Sequence, residues 1–209
     1  AWTFRYQGWL ALDDLRRIMR KPNAPRGNVE FLGEGTWAAG KVRAQGKYVA
    51  RDVSLPYRWF HASGIESRGT YRIADGRVDV PDFRMTLLGG TTEGRVTLAF
   101  AGQTWRAETR SRGLDLAALL RAADHEGFPV TPLHWGGDVE ADDVTTWVAD
   151  FKHVESRGRM IWSPPARPRE GEIPVSARWN YFYSMDQRAL ELRETTLATP
   201  TSRVALQGR

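Results

Sequence analysis

The residue types that most often carry catalysis or bind metals are scarce in this sequence or wrongly spaced. There are four histidines and no cysteine. The histidines, at positions 61, 125, 134 and 153, do not follow the H-x-x-x-H or H-E-x-x-H spacing of a zinc site. The lack of cysteine excludes disulfides, thiolate metal sites and cysteine nucleophiles. We therefore expect neither a metal ion nor another cofactor.

An acidic segment at positions 138–143 is the strongest candidate for binding a hard cation through oxygen ligands. It lacks the glycine and the terminal bidentate glutamate of a calcium loop. Its acidic residues alternate with Val139 and Ala141, which predicts the solvated face of a strand. The acidic residues concerned are Asp138, Glu140, Asp142 and Asp143.

Motifs of known catalytic sites are also missing from the sequence. The glycine-rich segment 89–94 is not followed by Lys-Ser/Thr or by a helix, so it predicts a hairpin turn and not a phosphate cradle. Ser63 and Ser111 have no recognisable base partner, and no G-x-S-x-G motif occurs. Carboxylate pairs for glycoside hydrolysis stay open as a possibility, although nothing singles out a pair. We predict that the chain is not an enzyme and keep a β-rich hydrolase as the least favoured alternative.

The charge pattern does not indicate a nucleic-acid partner. The formal net charge is +5, from 30 basic and 25 acidic residues. Acidic residues are interleaved with basic ones along the whole chain, as in Asp13-Asp14 before Arg16-Arg17. A nucleic-acid surface instead gathers its basic residues on one face. We expect no nucleic acid to bind.

The composition is that of a globular protein, with 41% apolar and 26% charged residues. No apolar run reaches the ~18–20 residues of a membrane-spanning helix. The chain begins at Ala1-Trp2 and ends at Arg209 inside a strand-like alternation. We therefore expect it to be an internal piece of a longer protein.

Alternation of apolar and polar residues is the dominant local pattern and predicts half-buried antiparallel strands. A change of parity near Asp52 predicts a bulge or a corner. Turns are predicted at 74–76, 88–91, 135–138 and 185–187, and a proline loop at 164–168. Only segments 12–20 and 114–123 have the apolar stripe and the early Asp of a short amphipathic helix.

The two helical segments mark a weak internal repeat. Asp14-Leu15 and Asp115-Leu116 begin similar patterns, and each helix is followed by a proline and then by a strand that leads into a glycine. Later strands also match in order. We therefore divide the chain into a first helix-plus-strands repeat at 1–109 and a second, continuous repeat at 110–209. Such repeats favour an elongated, stacked architecture.

Motifs along nearly the whole chain resemble the repeats of AsmA-like and TamB-like proteins, the translocation and assembly module group. The resemblance rests on the D-L-x-x-[IL]-[LM]-R helix and the glycine-spaced strands from Asp14 to Gly46 and on D-V-x-L-P at 52–56. The pattern V-x-V-x-D-F-R-M-T-L-L-G-G-x-x-x-G-x-V at 78–96, the Gly-Leu-Asp-Leu at 113–116 and the segment 190–208 add to it. These motifs are degenerate and structural.

The resemblance implies an all-β, elongated, open and curled groove built of repeats, with an apolar concave face and a polar convex face. It further implies a segment of a bridge-like lipid conduit across the periplasm, whose parent protein is anchored in the inner membrane. Such a conduit carries phospholipid between the inner and outer membranes or supports outer-membrane biogenesis. The implied partners are phospholipid acyl chains, neighbouring repeats of the same chain and an outer-membrane barrel protein.

Burial energetics agree with such a groove. Each buried methylene contributes ~0.8 kcal/mol, so a sixteen-carbon chain gains on the order of 10 kcal/mol before ordering costs, while sliding along a uniform lining changes little of it. The alternative is a periplasmic structural or interaction scaffold with a closed β core. The residues expected to line the groove are Val42, Ala44, Tyr48, Val96, Leu98, Phe100, Val175, Ala177, Trp179, Tyr181, Leu190, Leu192, Val204 and Leu206.

Overall fold

The structure, a computed structural model, is dominated by one open antiparallel sheet of twelve strands. It describes residues 1–19, 24–57, 60–127, 129–149 and 152–208. The strand order in the sheet follows the chain, apart from two short strands, β8 and β11, which pair with each other in parallel. The order is β1-β2-β3-β4-β5-β6-β7-β9-β10-β12-β13-β14, so β1 and β14 form the two edges. The expected all-β, open and curled architecture with two short helices is confirmed.

The strands of the sheet are long, and the two helices are short. The helices are α1, Leu12–Met19, and α2, Leu116–Ala123. The strands are β1 Trp2–Ala11, β2 Arg26–Ala38, β3 Lys41–Tyr57, β4 Phe60–Ala74, β5 Arg77–Leu87, β6 Gly90–Ala99, β7 Thr104–Asp115, β8 Trp135–Gly136, β9 Asp138–Val148, β10 Lys152–Ser163, β11 Ile173–Pro174, β12 Ser176–Ser184, β13 Ala189–Ala198 and β14 Arg203–Gly208.

The pairing register gives the sheet one apolar face and one polar face. Partners in an antiparallel ladder point to the same side, and successive residues point to opposite sides. Tyr48 pairs with Gly69, and the same row continues through Phe83 and Gly94. The side of the sheet that contains this row is called the apolar face below. The opposite side, which contains Arg68, Arg84 and their neighbours, is called the polar face.

Bulges bend the strands and give the sheet its curl. The register shifts between Ala50 and Val53 in the β3–β4 ladder, and Asp52 has φ 52°. This confirms the bulge that the parity change predicts. Similar shifts occur in other ladders, for example between Val80 and Phe83. Because a bulge increases local twist and bends its strand, repeated bulges curve a wide sheet.

Helix α2 covers one end of the apolar face. Asp115 caps it, since its carboxylate accepts a hydrogen bond from the backbone N–H of Ala118 at 2.8 Å. The sequence predicted this cap, although it also assigned Leu114 to the helix, whereas Leu114 and Asp115 end β7. Leu116 and Leu120 pack with apolar-face residues from several strands, including Val139, and with buried Val175.

A second apolar cluster lies at the same end of the sheet, beside α1. It contains Ala50, Val53, Ala62 and Ile65, with Leu12 packed against it. Helix α1 ends at Met19, and the predicted helix end at Arg20 lies outside the described residues. Both helices follow directly on a strand of the sheet, β1 and β7 respectively. The predicted repeat boundary at 109/110 falls inside β7, and the two-repeat division stays a prediction.

The turns expected at 74–76, 88–91 and 185–187 connect neighbouring strands, and segment 164–168 is a loop. The prediction of a turn at 135–138 was wrong in part, because Trp135–Gly136 forms the short strand β8. It pairs in parallel with Ile173–Pro174, a distant segment that local sequence pattern does not reveal.

Candidate functional site: an open apolar sheet face

The register places most of the expected lining residues on the apolar face. Twelve of the fourteen lie within strands of the large sheet, and Val175 immediately precedes β12 with the same parity. Phe100 follows β6 and is half-exposed in a turn. The twelve are Val42, Ala44 and Tyr48 on β3, Val96 and Leu98 on β6, Ala177, Trp179 and Tyr181 on β12, Leu190 and Leu192 on β13, and Val204 and Leu206 on β14.

Cover over this face is uneven. Val175 is fully buried and Ala177 nearly so, because both belong to the cluster under α2. The chain itself therefore covers these two residues. Toward the β14 edge the face is open, with Leu190 49% and Val204 44% exposed. A ligand in contact with the open part would not need to displace α2.

The molecule as a whole has a large accessible surface. It amounts to 13832 Å², against about 10,000 Å² for a compact globular protein of this mass. A single sheet with only two short helices over it accounts for the excess. The described residues contain no second large sheet that covers the apolar face.

Aromatic rings on the apolar face lie over glycines of neighbouring strands. A Cβ on Gly69 would meet the ring of Tyr48 at 3.0 Å. The hydroxyl of Tyr71 donates a hydrogen bond of 2.8 Å to that of Tyr6, three strands away, across two glycines. The rings thus lie along the sheet, and their hydroxyl groups find partners within it.

One carboxylate interrupts the apolar face. Asp143 shares a row with Thr109 and Gly158, and it accepts hydrogen bonds from Tyr181, from Ser156 at 2.8 Å and from Thr145 at 2.5 Å. Burial, followed by the hydrogen bond to Asp143, raises the pKa of Tyr181 well above its ordinary value. The phenol therefore stays protonated and donates to the carboxylate.

The sequence already contained the information that separates Asp143 from the other acidic residues of its segment. Asp138, Glu140 and Asp142 have even numbers and lie on the polar face, whereas Asp143 has the parity of Val139 and Ala141. The prediction that the whole segment is a solvated face was therefore wrong for Asp143. The odd residue number of Asp143, shared with Val139 and Ala141, is the feature of the sequence that indicates its place on the apolar face.

Cross-strand ion pairs cover the polar face. Asp142 accepts from Arg110 at 3.0 Å and from Arg159 at 3.1 Å. Glu108 accepts from Arg95 at 2.9 Å and from Arg106 at 3.0 Å. These pairs are exposed, so each contributes little to stability. They keep this face wet and charged.

A large furrow crosses the sheet among the described residues, and most of its lining side chains belong to the polar face. It has a volume of about 1260 Å³ and crosses the sheet from β3 to β12. Its lining includes one cross-strand row, with Gly94 and Gly158, and the charged residues on either side of that row. The next rows of the apolar face, for example Val96 and Thr145, do not line it. The polar face therefore has a furrow of its own.

Glu108 provides a prediction about pH. Hydrogen bonds from Arg95 and then Arg106 hold the pKa of Glu108 below 4.5. A lowered pKa favours the folded state above the ordinary pKa, and this contribution is lost as the pH falls through the folded pKa. We expect Arg95→Gln to raise the pKa of Glu108 toward 4.5 in a carboxyl NMR titration. Arg84→Gln, which removes the ion pair to Glu93 instead, should leave it unchanged; an equal rise in both variants would contradict the assignment.

The histidines are not gathered into a site. Among the described residues, no group of three histidine, aspartate or glutamate side chains is placed to hold a metal ion. His153 pairs with Asp186 at 2.9 Å on the surface. Neither helix of the described chain is long and apolar enough to cross a membrane.

Comparison with known protein families, with characterised proteins and with solved structures finds no match for this chain. The resemblance to AsmA-like and TamB-like repeats therefore rests on the sequence motifs, and the functional argument rests on the geometry of the two faces.

Proposed function

We propose that this chain binds the acyl chains of phospholipids along its apolar face, as one segment of a non-catalytic conduit. The observation that carries the proposal is a twelve-stranded sheet over whose apolar face the described residues form no second layer. An apolar sheet face is normally covered by another sheet, by helices or by a ligand. Here the two short helices lie at one end of the sheet.

The shape of the open surface favours a long, flexible ligand. Its apolar side chains are spread over the width of the sheet, among them Val42 on β3, Leu98 on β6 and Leu206 on β14. Strands are ~4.8 Å apart, so twelve of them extend over roughly 50 Å before curvature is considered. A compact ligand would contact only a small part of this width, whereas acyl chains can occupy it in succession.

The end of the apolar face under α2 is not fully closed. A cavity of about 660 Å³ lies between α2 and the β5–β6 turn, and its lining includes Ala62, Leu87 and Ala118 together with polar residues such as Arg121. A lining that mixes apolar and polar groups suits an amphiphile.

The cellular setting follows from the resemblance alone. The proposed parent is anchored in the inner membrane and reaches toward the outer membrane through the periplasm, where it transports phospholipid or supports outer-membrane biogenesis. Neighbouring repeats of the same chain and an outer-membrane barrel protein are the proposed protein partners.

A periplasmic scaffold is the second candidate, and the sheet edges favour it. Strands β1 and β14 each have one unpaired side, and Trp2 is 81% exposed on β1. Unpaired edges readily accept a further strand from another protein. In a scaffold, the apolar face would be buried against protein and would hold no lipid.

Substitutions at two adjacent residues distinguish the lipid conduit from the scaffold. Val204 lies on the apolar face of β14, and Ala205, the next residue, lies on the polar face; both are exposed. We expect Val204→Arg to reduce phospholipid bound to the purified protein about tenfold, because the new guanidinium interrupts the apolar surface. Val96→Arg, in the middle of the sheet, should block passage in the same way.

The measurement is native mass spectrometry with lipid extraction, and Ala205→Arg is the matched control. The control should retain wild-type lipid, since its added charge faces water. Lipid-free wild-type protein, or equal binding by both variants at residues 204 and 205, would contradict the conduit and leave the scaffold.

A further inference from the structure

We infer that Asp143 selects ligands by headgroup charge, favouring amphiphiles with an ammonium group over those that are only anionic. The inference rests on the proposed lipid-binding function and names a property of the same face. It follows from the position of a single carboxylate in the middle of an apolar surface.

Asp143 is the only acidic or basic residue in the paired rows of the apolar face, among the described residues. Its row neighbours, Thr109 and Gly158, are uncharged. Asp142, the preceding residue, lies on the other face with three arginines around it. The charge of Asp143 thus has no cationic partner in the described chain, whereas that of Asp142 is neutralised.

The carboxylate is held in place by hydroxyl groups. Ser156 and Tyr181 contact Oδ2, and Thr145 contacts Oδ1. A carboxylate can accept about four hydrogen bonds, so three neutral donors leave capacity for one more. These donors fix the orientation of the group without removing its charge.

Gly158 is part of this arrangement. A Cβ at that position would lie 3.0 Å from both Asp143 Oδ2 and the Tyr181 hydroxyl. The absence of a side chain therefore lets Tyr181 reach across β10 to Asp143. The network spans β9, β10 and β12 on the apolar face.

A carboxylate without an ion-pair partner next to bound acyl chains has an unfavourable solvation free energy. A cation on the ligand reduces this penalty. An apolar ligand displaces water from the carboxylate, and an isolated charge is then poorly solvated. An ammonium group restores a charge-assisted hydrogen bond. An anionic headgroup without a cation is repelled at the same place. The expected ligands are zwitterionic, amine-bearing phospholipids.

The test compares phosphatidylethanolamine with phosphatidylglycerol of identical acyl chains, each displacing a fluorescent fatty-acid probe from the purified full chain. We expect the wild type to prefer phosphatidylethanolamine about tenfold. Asp143→Asn keeps an acceptor oxygen for the hydroxyls and should abolish this preference. Asp142→Asn makes the same charge change on the opposite face and should retain it.

A measurement on the wild type alone keeps the inference testable if Asp143→Asn fails to fold. The preference should decrease between low and high salt, because the interaction is electrostatic and partly exposed. Equal affinities for the two lipids, a preference insensitive to salt, or one that persists in Asp143→Asn overturns the selection by Asp143. Failure of the wild type to bind either lipid overturns the proposed function as well, which distinguishes the two cases.

Discussion

Replacement of Leu116 by alanine is expected to lower the free energy of unfolding by about 3 kcal/mol, corresponding to a decrease in Tm of about 10 °C. Leu116 is fully buried where α2 meets the apolar face. It packs with Leu120, Val139 and Val175, which come from three segments of the chain. Removal of its side chain leaves a cavity between the helix and the sheet, because the strands cannot move independently to fill it.

The measurement is denaturant unfolding followed by circular dichroism, with Leu32→Ala as the control. Leu32 is 56% exposed on the polar face of β2, so the same chemical change should cost only about 0.5 kcal/mol or less there. Similar losses for the two variants would show that α2 does not hold the apolar face together. The sheet beyond the helix, including β1 and β14, should keep its strand content in both variants.

Substitution of Gly46 by alanine should destabilise the protein by a similar amount, about 3 kcal/mol, for a different reason. Gly46 lies in the row that runs from Tyr6 through Gly33 to Tyr71. An added Cβ would overlap the backbone oxygen of Leu32 and lie 2.6 Å from the Tyr71 hydroxyl. The ring must therefore move, and the hydrogen bond between the two tyrosines is lost.

Two readouts test this explanation. Burial, and then the hydrogen bond to Tyr6, raises the pKa of Tyr71, so displacement of the ring should bring that pKa back toward its ordinary value in a spectrophotometric titration. Tyr71→Ala should also cost less stability in the Gly46→Ala variant than in the wild type, because the ring has already lost its contacts there. Gly208→Ala is the control, because no atom lies within 4 Å of its added Cβ. A large loss in this control, or an equal cost of Tyr71→Ala in the two backgrounds, would contradict displacement of the ring as a cause.

The two faces of the sheet differ in the chemistry of their side chains. The polar face has a furrow with arginines and carboxylates that neutralise one another, so a water-filled surface is stable there. The apolar face has aromatic rings, aliphatic side chains and hydroxyl groups that bond within the sheet. Both faces of a single-layer sheet are accessible to solvent and ligands. The proposed lipid binding uses only the apolar face.

Local pattern predicted much of the fold. The alternation through Val96 and Leu98 predicted both the strand and its apolar side, because side chains in a strand alternate with a period of two. The parity change at Asp52 predicted the bulge, and Asp115 predicted the start of the second helix. These features depend on residues that are close in the sequence, and the sequence by itself therefore determined them.

Tertiary structure decided what covers the apolar face. Val175 and Leu206 have the same strand-like pattern, yet Val175 is fully buried under α2 and Leu206 is half-exposed at an edge. The environment of Asp143 also depends on Ser156 and Tyr181, which belong to other strands. The alternation of apolar and polar residues predicts on which side of its strand a side chain lies. It does not predict which residues of other strands that side chain contacts. Burial and hydrogen bonding arise from strand order and register, which bring together residues far apart in the chain.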